Sequence, residues 1–290
     1  MGTADNTVMK HTKTLILMAL FTLTACGRGL DDQEEYAQAV GDVMSSMDES
    51  SGSTSGGYAQ LQVPVRLKSA PSVLDFLIPE AQAASCLLQT FSGTCPIKTR
   101  SFGGCTLAGG RATLTGSVTL TFTDGSCSMS SAGNSVNRAA DFTISAPRGS
   151  LTVSSPGGGQ TVTRTDYGFT YSVGGMKRVL KNSDGETVAD IETKTLSAIS
   201  VSGANRATRV MTGGQLEIKN LTRGSTAVLT PNNLTWSSTC NCAVSGSLSG
   251  STSGDESFDD FSITITGCGT ATVSSGGKSE DVEFDRCTGV

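Results

Sequence analysis

The chain has 290 residues, with 21 basic and 26 acidic side chains and a net charge of −5. That mildly acidic balance carries no electrostatic footprint for nucleic acid, which is excluded as a partner. Thirty-five glycines and many serines and threonines would suit a disordered chain, but apolar and hydroxyl residues alternate too regularly through the body for that.

The N-terminus carries a short basic patch, Lys10, His11 and Lys13, followed by the uncharged run "TLILMALFTLTA" at 14–25. A bilayer span takes about 20 residues, so this run is too short to cross. A charged start, an apolar stretch and small residues at its end form a secretory signal. Met9 is an alternative start, because "MGTADNTV" carries Asp5 and does not read as a leader.

The last four residues of the run, Leu23, Thr24, Ala25 and Cys26, resemble the lipobox of bacterial lipoproteins. The resemblance covers the leader alone and implies that residues 1–25 are removed and Cys26 becomes the lipidated first residue. The membrane would then be a partner through the N-terminal lipid, with palmitate on Cys26. Gly27 in place of Asp resembles lipoproteins sorted to the outer membrane of Gram-negative bacteria, on its periplasmic or outer side. Removing Lys10, Lys13 and Asp5 leaves 19 basic against 25 acidic residues, a net of −6.

Nine cysteines are an odd number, and lipidation of Cys26 makes the remainder even. Cys86, Cys95, Cys105, Cys127, Cys240, Cys242, Cys268 and Cys287 meet an oxidising compartment after export, where four disulfides are expected. Four lie early and four late, which permits pairing within each cluster. Cys240 and Cys242 face one side of a strand and are expected to take different partners. Zinc sites usually separate thiols by two to four residues, so "CNC" is read as disulfide-forming.

In residues 26–85 the residues Tyr36, Val40, Val43, Met44 and Met47 recur at helical spacing. "SGSTSGG" at 51–57 follows as a flexible linker. The segment is read as a lipid-anchored tether containing a short helix. Farther on, "YAQLQVPVRL" is strand-like, and "PSVLDFLIPEAQAA" holds a helical turn or more, ended by Pro79.

Residues 86–290 read as one disulfide-bonded, all-β domain. Leu114, Val118, Leu120 and Phe122 share one face of a strand, with Thr115, Ser117, Thr119 and Thr121 on the other. Tyr167, Phe169, Tyr171 and Val173 repeat the pattern, as do Phe261, Ile263 and Ile265. One apolar and one hydroxyl face predict an antiparallel meander or sandwich with a wet side. Turns are expected at "PGGG" 156–159, "GG" 174–175, "SDG" 183–185, "SGAN" 202–205, "GG" 213–214 and "RGS" 223–225.

The single histidine, His11, lies in the leader, so the mature chain has no imidazole for Ser-His-Asp or Cys-His chemistry or for histidine-ligated zinc. P-loop, GxGxxG-helix and HExxH motifs are absent, and no cofactor is expected. Asp255, Glu256, Asp259 and Asp260 form an acidic cluster that could hold a hard cation, although its spacing is not that of an EF-hand and a solvated turn is the preferred reading. Asp166, Asp190, Glu192 and Glu217 are carboxylates available for glycoside hydrolysis, which needs two facing a cleft. Tyr167, Phe169, Tyr171 and Trp236 could stack on a sugar, against the preferred reading of core packing. The sequence therefore predicts a non-catalytic structural, adhesive or ligand-binding envelope module for a glycan or protein ligand. The alternative is a carboxylate-dependent carbohydrate hydrolase.

Overall fold

A computed structural model describes residues 36–41, 43–44, 91–107, 112–203, 205–254, 257, 260–284 and 287. The fold is all-β, as the alternation predicts. Early strands are β1 (Ile97–Leu107), β2 (Ala112–Phe122), β3 (Ser135–Ala146), β4 (Gly149–Thr165) and β5 (Gly168–Asn182). The middle holds β6 (Thr187–Ser197), β7 (Ile199–Ser202), β8 (Val210–Thr212), β9 (Gln215–Asn220) and β10 (Ser225–Trp236). The last four are β11 (Ala243–Ser253), β12 (Phe261–Gly267), β13 (Thr270–Ser275) and β14 (Lys278–Glu283).

All 14 strands belong to one antiparallel sheet. β6 and β7 follow one another along the same side of β5, and β9 and β8 along the same side of β10. The sheet is therefore a continuous meander in which each lane pairs with the lanes beside it in sequence. Among the described residues β1 and β14 form its edges. Lys278, Glu280, Asp281 and Glu283 charge the last edge, a common guard against edge-to-edge association.

Three of the expected turns are not turns. "PGGG" lies inside β4, "GG" at 174–175 inside β5, and "GG" at 213–214 in the break between β8 and β9. The glycines allow bulges and close backbone approach instead. Gly158 and Gly159 have φ of 97° and 78°, a region that favours glycine, and a Cβ on Gly174 would stand 2.2 Å from the carbonyl oxygen of Gly157. Register shifts at 138–141, 154–160 and 232–235 continue the irregularity across neighbouring strands. Together they crease the sheet. The sequence at 183–185 lies between strands, as expected, as do Gly203 and Asn205 after β7 and Arg223 and Gly224 before β10.

The crease divides the apolar face into two clusters. Leu114, Phe142, Ile144, Leu151, Leu180 and Ala189 form the smaller one. The larger contains Val162, Tyr171, Ile218, Leu229, Trp236, Phe261 and Val273. Arg138 and Gln160 are buried near the crease, with Arg138 Nη1 donating to Gln160 Oε1 at 3.4 Å. The opposite face carries hydroxyl pairs, including Thr143–Thr152 at 3.0 Å and Ser274–Ser279 at 2.9 Å.

The helix expected in the tether is present at 36–41 and 43–44, here α1, but it belongs to the domain. Tyr36, Ala37, Val40, Val43 and Met44 are part of the larger core cluster. Tyr36 Oη donates to Ser225 Oγ at 2.7 Å, and its ring meets Phe261 edge-on at 5.6 Å. Gln38 Nε2 donates to the Glu283 carbonyl at 2.6 Å. The apolar stripe, read as a short helix within a tether, docks on the chain's own sheet. Residues 36–41 and 43–44, expected within the tether, thus pack as part of the domain core. Met47, the linker at 51–57, the strand-like run from Tyr58 and the Pro79 segment lie outside the described residues.

Three disulfides join described cysteines: Cys95–Cys127, Cys240–Cys268 and Cys242–Cys287. Cys240 and Cys242 take different partners, and each bridge stays within its early or late cluster. Cys105 is also disulfide-bonded, whereas Cys26 and Cys86 lie outside the described residues. Bridges of this kind contribute about 2 to 4 kcal/mol each.

A core helix and a tether respond differently to mutation. Tyr36→Ala is expected to cost about 3 to 5 kcal/mol in urea unfolding, against a few tenths for a residue on a spacer. Gly41→Val tests the same packing, since a Cβ there would stand 3.0 Å from the Phe284 ring.

Candidate functional site

On the wet face of β5, β6 and β9 the side-chain alternation brings three of the four proposed carboxylates together. Lys177 Nζ lies 3.0 Å from Asp190 Oδ2. Glu192 is in register with both Lys177 and Lys219, and Lys194 with Glu217. Lys194 Nζ and Lys219 Nζ approach Glu217 Oε1 to 3.1 Å and 3.3 Å. The result is a ladder of three lysines and three carboxylates with no net charge.

The carboxylates alone do not reveal the three lysines that pair with them. Their signal is nevertheless in the sequence: Glu192-x-Lys194 and Glu217-x-Lys219 place opposite charges two residues apart on one strand face. Cross-strand pairing then sets each charge against an opposite one, which stabilises the sheet.

This arrangement is unsuited to hydrolytic acid chemistry. A glycosidase acid needs a carboxyl group whose pKa is raised. Burial pushes Glu217 up, but hydrogen bonds and charge from Lys194 and Lys219 outweigh it and hold the group below its ordinary 4.5. Asp166 is exposed on the β4–β5 turn, away from the ladder.

The aromatic residues do not form a shared platform. Tyr171 is fully buried, while Phe169 and Trp236 are also in the core. The faces of the latter two are engaged by Arg209, whose guanidinium carbon lies 5.5 Å from the Phe169 ring centroid and 5.6 Å from that of Trp236. Trp236 Nε1 donates to the Asn241 carbonyl at 3.4 Å. The sugar-stacking reading is corrected for these three rings because burial and cation–π packing occupy them. Tyr167 alone is open, at 88 % exposure on the β4–β5 turn.

Within the acidic cluster, Asp260 Oδ1 accepts from the Gly276 amide at 3.1 Å, tying the segment before β12 to the β13–β14 turn. Asp255, Glu256 and Asp259 lie outside the described residues. Among the described residues no group of three His, Cys, Asp or Glu side chains could hold a metal ion.

Comparison with protein-family models, curated proteins and solved structures finds no match.

Glu217 gives the ladder a pH signature. A carboxylate with a lowered folded pKa contributes stability that is present above its unfolded pKa and is lost as pH falls through the folded one. For Glu217 that loss lies below about 4.5, and its size is on the order of 1 kcal/mol or less because the lysines are partly solvated. Glu217→Gln is expected to lower stability slightly at pH 7 and leave it nearly unchanged near pH 3, measured by urea unfolding at both pH values.

Proposed function

We propose that the chain is a lipid-anchored, disulfide-stapled module of the bacterial cell envelope that binds or supports rather than catalyses. Its working surface is the outer face of the meander, with serine, threonine and the charge ladder. The observation that carries the non-catalytic reading is the pairing of the ladder's carboxylates with lysines on an open sheet face.

The disulfides fit an oxidising extracellular or periplasmic compartment. The basic patch, apolar run and Leu23-Thr24-Ala25-Cys26 order support lipidation, and Gly27 supports the outer membrane as destination. A hydroxyl-rich face suits hydrogen bonding to a glycan or a protein partner. Among the described residues no helix is long and apolar enough to cross a membrane.

Metabolic labelling with palmitate tests the anchor. The wild-type chain is expected to incorporate label and Cys26→Ser to lose it; label retained by the mutant overturns the lipoprotein reading. A glycan array on the full chain then tests the surface. Specific binding weakened by outer-face substitutions supports recognition, whereas hydrolysis of any arrayed sugar removes the non-catalytic reading.

A further inference from the structure

We infer that the sheet end carrying the β5–β6 and β9–β10 turns rests on the lipid surface that holds the chain's own anchor. The inference stands on lipidation of Cys26, as proposed above, and adds where the body sits and which end faces the bilayer.

The first premise is reach. Only residues 27–35 separate Cys26 from Tyr36, which is 1 % exposed inside the domain. Extended chain spans at most about 3.3 to 3.6 Å per residue, so the lipidated residue lies within about 35 Å of Tyr36. That is roughly the length of one long strand. A tether reaching to residue 85 would have allowed the body about 200 Å of contour. The buried helix removes that freedom and keeps the domain at a high effective concentration beside the membrane.

The second premise is polarity. Tyr36 reaches Ser225, the first residue of β10. Later in α1 the Gly41 carbonyl oxygen lies 3.9 Å from Cys242 Sγ and 4.0 Å from Cys287 Sγ, beside the start of β11 and hence the far end of β10. Both sulfurs are in one disulfide, so these are contacts rather than hydrogen bonds. The N-terminal end of α1 is thus directed toward the β9–β10 turn.

That end has side chains suited to a lipid interface. Leu221 and Val188 are 47 % and 45 % exposed. They lie close together, because the Leu221 amide donates to the carbonyl of Asp190, two residues beyond Val188, at 2.8 Å. Lys181 and Arg223 flank them at the strand ends, Asp184 and Glu186 lie in the β5–β6 turn, and Asp260 stands at the same sheet end, just before β12. Contact is maintained by the short anchor and the apolar tip rather than by ionic attraction, so raising the salt concentration is expected not to weaken it.

The test uses the full lipidated chain in phosphatidylethanolamine–phosphatidylglycerol vesicles, with or without brominated acyl chains. Leu221→Trp places a reporter at the proposed contact, Val188→Trp a second one beside it, and Tyr167→Trp a reporter at the opposite sheet end; Trp236 is a background common to all three. Bromine is expected to quench the tryptophan at 221 and at 188 but not at 167, with no loss in high salt. Inserting about 30 glycine and serine residues after Gly27, enough for roughly 30 Å of added average reach, is expected to abolish the difference. Equal quenching at both ends, or none at 221 and 188, in protein whose lipid is verified by mass overturns the orientation and leaves the anchor intact. Mass showing no lipid on Cys26 overturns both readings.

Discussion

A single sheet with one apolar face must bend to bury that face, and the close approach of the neighbouring strands β4 and β5 at Gly157 and Gly174 marks where their ladder is interrupted. No side chain fits there: a Cβ on Gly157 would stand 2.4 Å from the Gly174 carbonyl oxygen, and one on Gly174 would stand 2.2 Å from that of Gly157. The bulges beside this contact allow β4 and β5 to bend while remaining paired on either side of it. The interruption opposite Gly214 continues the same accommodation, since a Cβ there would lie 2.6 Å from the Ala198 carbonyl oxygen. Small residues in the middle of long strands cost conformational entropy, but they let the apolar face be buried without a second sheet.

The bend alone does not fill the interior. Helix α1 supplies Tyr36, Val40, Val43 and Met44 to the larger cluster, and Phe284 packs where Gly41 leaves room. Cys242–Cys287 fixes the end of the sheet beside this helix. The sequence ends of the described domain thus stabilise one another through packing, backbone hydrogen bonding and a covalent bridge. The wet face meanwhile uses hydroxyl pairs and the lysine–carboxylate ladder, where individual interactions are modest but successive strands repeat them.

Strands and their inward residues were legible from period-two alternation because each strand faces apolar packing on one side and water on the other. Leu114, Val118, Leu120 and Phe122 are buried as that pattern requires. Glycine was ambiguous. Its freedom serves a hairpin at Gly185 and a mid-strand bulge at Gly158 alike, and only the partner strand decides between them. The helical stripe at Tyr36 was visible, but its destination was not, because Ser225 and Glu283 lie 189 and 245 residues from their partners in α1. The carboxylates were similarly visible as residues, whereas their role depended on lysines one strand away. Tyr171 and Trp236 show the same limit: a ring's place in an alternating pattern identifies its face, but contacts with the rest of the domain determine whether that face is open.

The meander also separates the order of synthesis from the order of completion. Each strand can pair with the lane that precedes it, a topology of local contacts that favours rapid zippering. Helix α1 leaves the ribosome before any described strand, yet its contacts at Ser225, Phe261 and Glu283 are near the end of the chain. At about 5 to 20 residues per second, synthesis leaves its apolar stripe without those partners for roughly 10 to 50 seconds. So short a helix is marginal in water by itself. An early-made piece of the chain is therefore one that its core must receive last, and the last strands determine when that piece can leave solvent.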